Sequence, residues 1–148
     1  MTSFARRHLD KKLDRMRPVS HFARPQRGWI RAIREALGIT AEQVGKRMKV
    51  SQSRISALER AEVDGSATIT SMQRAAEALG CTFVYALVPH QPLEEVLINR
   101  ARAVAADKLA RIDQTMRLEN QGISAAELES ERERLARTLA ETPRRLWG

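Results

Sequence analysis

Apolar residues recur at three- and four-residue steps through the middle of the chain. This spacing predicts helices at about residues 29–37, 41–48, 52–60 and 69–79. Gly38 and Gly80 follow the first and the last of these segments, as is typical of residues that end helices. The pattern therefore predicts a small helical domain over residues 29–80.

A very short joint connects the second helix of this domain to the third. Only two or three residues separate them, and Thr40 and Ser51 stand where each helix begins. Their hydroxyl groups are suited to accept a backbone N–H that has no other partner. So short a joint makes the helices cross steeply, as in a helix-turn-helix whose second helix enters the major groove of DNA. The sequence therefore predicts sequence-specific DNA binding.

The outward positions of the third helix are the candidate contacts to DNA bases. They are Gln52, Ser53, Arg54 and Ala57. Gln and Arg side chains are best able to form paired hydrogen bonds with base edges, and Arg54 is expected to select a guanine. Contacts to the DNA backbone are expected from surrounding cations and hydroxyls, namely Arg24, Arg27, Thr40, Lys46, Lys49, Ser51 and Arg60.

Residues 29–80 resemble the lambda-repressor-like, Xre-type helix-turn-helix family. The resemblance rests on Thr40, Gly45, Ser51 and the run formed by Ile55, Ser56, Leu58 and Glu59. It implies a structural ion pair between Arg34 and Glu59. A dimer on a palindromic operator in double-stranded DNA is predicted from a separate segment, residues 82–88.

Three positions of this segment carry residues other than the family's usual ones. Gly45 stands where the family usually has Ala, and a small residue is expected there because the two helices touch. Lys49 replaces a usual glycine of the turn, so a non-glycine residue is expected to take a positive φ at some strain. Ala41 replaces a frequent Gln, which removes one expected contact to DNA.

A second resemblance runs through residues 24–98. The segments RPQRGWIRAIREALGIT, RISALERAEVDGSATIT and RAAEALGCTFVYALVP are similar to the family called mobile mystery protein A. Members carry an Xre-type domain and are encoded beside a companion with a Fic-type domain, an enzyme type that typically transfers AMP to protein hydroxyls. The resemblance implies a regulatory or antitoxin-like role for this chain towards a Fic-domain partner. The Fic signature, a His-Pro-Phe opening followed by a Gly-Asn pair, does not occur here, so this chain is expected to be the non-catalytic member of such a pair.

The net charge of +8 is concentrated at the start of the chain. The first 34 residues contain ten Lys or Arg and two Asp, whereas residues 35–148 contain sixteen of each sign. Residues 1–28 are therefore expected to form a basic arm with a short helix and a linker. A polyanionic partner is favoured because neutralised phosphates release counterions; a solubilising tail is the alternative.

Residues 82–88, TFVYALV, have the composition of a β-strand that Pro89 closes. A lone strand leaves its backbone groups unpaired. We therefore expect residues 81–90 to pair antiparallel with a second copy, through Phe83, Val84, Tyr85 and Leu87. Such a homodimer fits operator half-sites about 34 Å apart or a multiple of that distance. Packing of the strand on its own domain or on the arm is the alternative.

Residues 91–148 have the pattern of a helical hairpin. The first helix is expected at about 92–118, and residues 120–122 break it. The second helix begins at Ser124, where Glu127 completes the sequence of a capping box. The hairpin is interpreted as a packing or oligomerisation element, or as a docking surface for a partner protein.

No candidate catalytic or metal site is visible. His8, His21 and His90 share no ligand spacing, Cys81 is the only cysteine, and no glycine-rich phosphate loop occurs. We expect neither enzyme activity nor a cofactor or metal. The sequence has neither an apolar run long enough to cross a membrane nor a secretory signal, so a cytoplasmic protein is expected.

The predicted fold class is mainly α: a lambda-repressor-like helix-turn-helix bundle, one short β-strand after it and a C-terminal helical hairpin. The leading hypothesis is a dimeric autorepressor of transcription with an antitoxin-like role. One alternative is an antitoxin that neutralises its partner mainly through the C-terminal helices, with DNA binding secondary. Another is a non-specific nucleic-acid binder driven by the basic arm.

Overall fold

The computed structural model of the chain describes residues 3–118 and 124–148, and for 116–118 only the helical backbone. Within these ranges the protein is mainly helical and contains no β-strand. Its α-helices are α1 (Ser3–Asp14), α2 (Trp29–Ala36), α3 (Ala41–Met48), α4 (Gln52–Asp64), α5 (Ile69–Ala78), α6 (Leu93–Leu118) and α7 (Ala125–Ala140). Short 3-10 helices cover Val19–Phe22 and Pro143–Leu146.

The described residues form two compact units. The central unit consists of residues 18–87 and contains α2 to α5. The terminal unit consists of residues 3–17 and the described part of 88–148, and it contains α1, α6 and α7. Residues 3–17 and 18–28, expected together as one arm, therefore lie in different units.

The core of the central unit contains side chains from all four of its helices. Its buried members are Ile30, Val44, Met48, Ile55, Met72, Ala75 and Leu79. Val44 and Ala75 are fully buried, and Ile55 is 1% exposed. Burying a side chain of the size of Val44 or Ile55 contributes about 1.5–3 kcal/mol to stability. The helix-turn-helix is thus held by a shared core, with its inward positions set by helical spacing.

The joint between α3 and α4 is a left-handed helix end. Lys49 adopts φ 58° and ψ 42°, so the positive φ expected there is present. The Val50 N–H donates to the Gly45 carbonyl at 2.9 Å, and the Lys49 N–H donates to the Lys46 carbonyl at 3.3 Å. These two bonds form a Schellman motif. A Cβ on Gly45 would lie 2.7 Å from the Val50 carbonyl oxygen, so the tight joint explains the small residue.

The α4 helix is longer than the sequence indicated. It runs to Asp64, whereas the apolar spacing predicted a helix that ends at about residue 60. Gly65, at φ 86°, ends the helix, and the Asp64 carboxylate accepts the Ser66 N–H at 2.9 Å. The hydrogen bonds from Ser66 hold the pKa of Asp64 below its usual value. Asp64 is the last residue of α4, and Gly65 begins the turn that follows it.

The β-strand predicted at residues 82–88 is absent. This segment is irregular, and its backbone makes no hydrogen bond with the other described residues. The physical reason is that a strand exists only beside a second strand, and the described part of the chain offers none. The fold class is therefore correct for the helices and wrong for this element.

The terminal unit has its own apolar core, made by α6, α7 and the 3-10 helix Pro143–Leu146. Its buried members are Leu97, Ala101, Ala105, Ala136, Leu139 and Leu146. Because three of the six are alanines, the helices approach closely. The Leu146 carbonyl accepts the Arg100 Nε–H at 2.7 Å, and the Arg100 guanidinium lies 5.7 Å from the centre of the Trp147 ring. The C-terminal tail is thus anchored on α6.

Helix α1 is attached to the start of α6 by polar contacts. The Asp10 carboxylate accepts the N–H groups of Leu93 at 2.6 Å and Glu94 at 3.1 Å. Arg6 forms an ion pair with Glu94 at 2.6 Å, and Leu13 is buried. Asp10 therefore caps α6 from a distant part of the sequence, since the first N–H groups of a helix lack partners inside it.

Two further predictions concern the terminal unit. Ser124 caps α7, because its hydroxyl accepts the Glu127 N–H at 3.2 Å. The break predicted at residues 120–122 lies outside the described residues. None of the helices described in 3–118 and 124–148 combines the length and apolar character that a membrane span requires.

Candidate nucleic-acid interface

Helix α4 presents a polar edge to solvent. Ile55 and Glu59 are buried, whereas the predicted base-reading residues are all exposed: Gln52, Ser53, Arg54 and Ala57. The Ser51 hydroxyl caps the helix by accepting the Arg54 N–H at 3.3 Å. The Arg54 guanidinium makes no hydrogen bond or ion pair with another described residue. Its donors are therefore free to bind a ligand, although its role in base reading stays a prediction.

An ion pair between Arg34 and Glu59 fixes α4 on α2. The Arg34 Nε lies 2.7 Å from one carboxylate oxygen of Glu59, and a second nitrogen lies 3.3 Å from the other. The two side chains are 13% and 9% exposed, and the hydrogen bond to Glu59 raises the pKa of Arg34 above its usual value. Arg34 also donates to the Ile39 carbonyl at 3.2 Å. The ion pair implied by the family resemblance is thus present in a partly buried, two-bond form.

A second carboxylate on α4 contacts α2, and sequence analysis missed it. Glu62 accepts the backbone N–H groups of Trp29 at 2.6 Å and Ile30 at 3.0 Å, so it caps the start of α2. Glu62 lies beyond residue 60, the predicted end of this helix, so the sequence does not predict a helical contact for it. The signal that could have identified it is its spacing from Glu59, since positions three apart lie on one helix face.

An open groove lies between α2 and α4. Four arginines line it: Arg27 from the segment before α2, Arg31 and Arg34 from α2, and Arg60 from α4. Three acids line it as well: Glu35, Glu59 and Asp64. Thr40, which begins α3 with a capping box to Gln43, also lines it. The groove brings together some of the residues predicted to contact the DNA backbone and adds Arg31, which forms an ion pair with Glu35 at 2.8 Å.

The predicted backbone contacts are all exposed: Arg24, Arg27, Thr40, Lys46, Lys49, Ser51 and Arg60. Not all of them line the groove, because Lys46 and Lys49 lie at the end of α3 and Arg24 lies near the start of the unit. Lys46 is 3.8 Å from Glu42, and Arg24 donates to the Pro25 carbonyl at 3.3 Å. Their exposure permits contact with phosphates, but their roles remain predictions.

Two arginines near Lys49 have structural partners. Arg47 donates to the Ala78 carbonyl at 3.0 Å, and Arg74 donates to the Met48 carbonyl at 3.1 Å. Both therefore bind carbonyl groups at helix ends, where cations are favourable. Lys49 lies beside them without such a partner among the described residues.

The residues predicted to pair in a dimer form an exposed apolar segment. Val84 is 79% exposed, Tyr85 65% and Leu87 83%, while Phe83 packs against the core of the central unit. The rings of Phe83 and Tyr85 stack with their centres 6.0 Å apart. A cavity of about 330 Å³ adjoins this segment, lined by residues that include Phe22, Trp29, Ile33, Met72, Phe83 and Val84.

Comparison with known proteins bears directly on the central unit. The helix-turn-helix family model matches residues 30–85, which include most of α2 and all of α3, α4 and α5. No curated protein and no solved structure matches the chain. In the part of the chain that the structure describes, no group of three or more His, Cys, Asp or Glu side chains could hold a metal ion. The protein therefore contains an Xre-like helix-turn-helix domain at residues 30–85, a domain type that indicates a DNA-binding regulator.

Proposed function

We propose that the protein is a sequence-specific, DNA-binding transcriptional repressor that acts without catalysis. The observation that carries this proposal is the exposed polar edge of α4 in a helix-turn-helix domain, where the Arg54 guanidinium has no partner among the described residues. A helix presented in this way fits the major groove, where Arg binds guanine through two hydrogen bonds. Gln52, Ser53 and Arg54 read base edges, and Ala57 contacts a thymine methyl group.

The contacts to phosphates surround this edge. The N-terminus of α4, capped by Ser51, presents backbone N–H groups that favour an anion. In the groove, Arg27 and Arg60 have no ion-pair partner among the described residues, whereas Arg31 pairs with Glu35. The Arg27 and Arg60 guanidinium groups contact the phosphodiester backbone of one DNA strand. Lys49 binds a further phosphate from the end of α3.

Replacing Arg54 by Ala tests this assignment. An operator is first selected from random duplex DNA by the wild-type protein. The variant is expected to lose about 1–3 kcal/mol of discrimination, roughly 5- to 150-fold, while weak salt-sensitive binding persists. Arg137→Ala is the matched control, because Arg137 is also exposed but lies on α7. If Arg54→Ala protected the same footprint at the same concentration, the recognition edge would be elsewhere.

The proposed repressor is a homodimer joined through residues 82–88. The support is threefold: the backbone of this segment is unpaired within the described chain, three of its apolar side chains are exposed, and an apolar cavity adjoins it. Antiparallel pairing with a second copy would satisfy the backbone groups and cover Val84, Tyr85 and Leu87. A two-fold dimer also matches a palindromic operator.

Changing Val84 and Leu87 to Lys tests the dimer by sedimentation equilibrium. The expected result is a monomer with weakened operator binding. Ile112→Lys is the control, since Ile112 is also an exposed apolar residue, 52% exposed, but lies on α6. A variant that kept the wild-type mass in solution would exclude pairing through this segment.

A second candidate function is that of an antitoxin that neutralises a Fic-domain companion, with the terminal unit as its docking surface. The favouring observation is that this unit has its own core and lies outside the matched helix-turn-helix domain. Reversing the charges of Arg134 and Arg137 on α7 is expected to relieve the inhibition of AMP transfer by a co-purified companion while operator binding persists. If the charge-reversed variant still inhibited AMP transfer as strongly as the wild type, this candidate would be discarded.

A further inference from the structure

The start of α2 is held by a residue from the end of α4. The two Glu62 carboxylate oxygens accept the N–H groups of Trp29 at 2.6 Å and Ile30 at 3.0 Å. Glu62 is one turn beyond Glu59, whose carboxylate binds Arg34 at the other end of α2. Two carboxylates on one face of α4 thus bind both ends of α2, which fixes the angle and the rotation of α4 against it.

The chain bends where it reaches this contact. Gly28 adopts φ 93°, a conformation that a residue with a side chain rarely takes. A Cβ at this position would also lie 2.7 Å from a Glu62 carboxylate oxygen. The Gly28 N–H donates to the Pro25 carbonyl at 2.9 Å, so residues 25–28 form a turn that ends against Glu62.

This turn carries the basic residues that precede α2. Arg27 is adjacent to Gly28 and lines the same groove as Gln52 and Arg60 of α4. Arg24 lies just before the turn and donates to the Pro25 carbonyl at 3.3 Å. The position of these two arginines relative to α4 is therefore set at Gly28, which lies against the Glu62 carboxylate of α4.

We propose that Glu62 is a positioning residue for DNA binding: it fixes the segment with Arg24 and Arg27 in register with α4. The phosphates bound by Arg24 and Arg27 then lie at a fixed distance from the bases that α4 contacts. This inference rests on the proposed DNA-binding function. Glu62 itself does not touch DNA, since its two oxygens are occupied by the N–H groups of α2.

Replacing Glu62 by Ala, with Thr68→Ala as the matched control, separates positioning from simple capping. Thr68 caps α5 by accepting the Ser71 N–H at 3.1 Å, so its loss also removes a helix cap from the central unit. Both variants are expected to lower the midpoint of thermal unfolding. Only Glu62→Ala is expected to reduce the slope of log K against log salt, by up to about 1.8, because each lost phosphate contact removes about 0.9.

A double-mutant cycle gives the decisive comparison. In a background that carries Arg24→Ala and Arg27→Ala, Glu62→Ala should cause no further change in slope, because the residues that it positions are gone. Thr68→Ala should have the same effect in both backgrounds. Glu62→Gln keeps one carbonyl acceptor and should fall between wild type and Glu62→Ala, which provides a test if the alanine variant does not fold.

Two results would overturn the proposal: an unchanged salt slope in both Glu62 variants, or full additivity of Glu62→Ala with the arginine substitutions. Neither result depends on base recognition. A failure of the proposed function would appear separately, as a wild-type protein without sequence preference or as an Arg54→Ala variant that keeps its preference.

Discussion

The central and terminal units place their acidic residues differently. Residues 18–87 contain ten Lys or Arg and six Asp or Glu, and two of those acids, Glu59 and Glu62, bind α2. Residues 88–148 contain ten of each sign. On α7, Arg132 pairs with Glu129 and Arg134 with Glu131, while Glu133 pairs with Arg102 of α6.

This difference affects what each surface can bind. In the central unit, where Glu59 and Glu62 bind α2, the Arg54 and Arg60 side chains face solvent without an ion-pair partner among the described residues. Arg31 and Lys46 of the same unit do pair with nearby acids, Glu35 and Glu42. Where acids and arginines alternate along one exposed helix, each cancels the charge of its neighbour. Exposed pairs of this kind contribute only about 0.2–0.5 kcal/mol each, so on α7 they affect surface charge more than stability.

The largest expected effect, on the free energy of unfolding, comes from neutralising Glu59, the buried acid that pairs with Arg34. Glu59→Gln should lower the free energy of unfolding by about 3–5 kcal/mol, because it leaves the Arg34 guanidinium without its charged partner in a partly buried place. Glu133→Gln, on the terminal unit, should cost less than about 1 kcal/mol. Chemical denaturation measures both. Equal costs would contradict the contrast between the units.

A smaller effect is expected from removing acids of the terminal unit together. Changing Glu129, Glu131 and Glu133 to Gln leaves Arg102, Arg132 and Arg134 without acidic partners. Binding to non-operator DNA should strengthen, and the salt slope should rise by as much as about 0.9 for each arginine that meets a phosphate. Ser130→Gln is a control on the same helix. Unchanged non-specific binding would mean that pairing is not what masks these cations.

Lys49 connects stability and binding within the central unit. Lys49→Gly should raise the free energy of unfolding by about 0.5–1 kcal/mol. Glycine removes the steric cost that a Cβ carries in the left-handed conformation, and its larger conformational entropy in the unfolded state cancels only part of this gain. The operator salt slope should fall by about 0.9 as one phosphate contact is lost. Lys46→Ala should lower the slope without the gain in stability. A destabilised Lys49→Gly variant would contradict the strain at the joint.

The smallest expected effect is on how stability depends on pH in the acidic range, through the Asp64 carboxylate. Because hydrogen bonds from Ser66 lower the folded-state pKa of Asp64, its contribution is present above the unfolded-state pKa and is lost as the pH falls through the folded-state value. Asp64→Asn should therefore slightly reduce stability at neutral pH and flatten the dependence below about pH 4. Thermal unfolding across pH measures this, with Glu141→Gln as the control. A flat wild-type profile in that range would exclude the effect.

The elements that could be predicted are those fixed by neighbours in the sequence. The caps at Thr40, Ser51 and Ser124 are bonds to an N–H three residues away, so the residue type is enough to indicate them. The Arg34–Glu59 pair was accessible through a family pattern. Glu62 was not, because its partners lie 33 and 32 residues earlier and its own helix was ended too soon.

The amino-acid sequence by itself determined the helices, the capped joint of the helix-turn-helix and the polar edge of α4, because helical periodicity and caps depend on residues a few positions apart. Only the tertiary structure decided that residues 82–88 lack a strand partner, that Asp10 places α1 on α6, and that Glu62 meets Gly28. Each of these outcomes depends on which distant backbone groups become neighbours, and residue spacing carries no information about that choice.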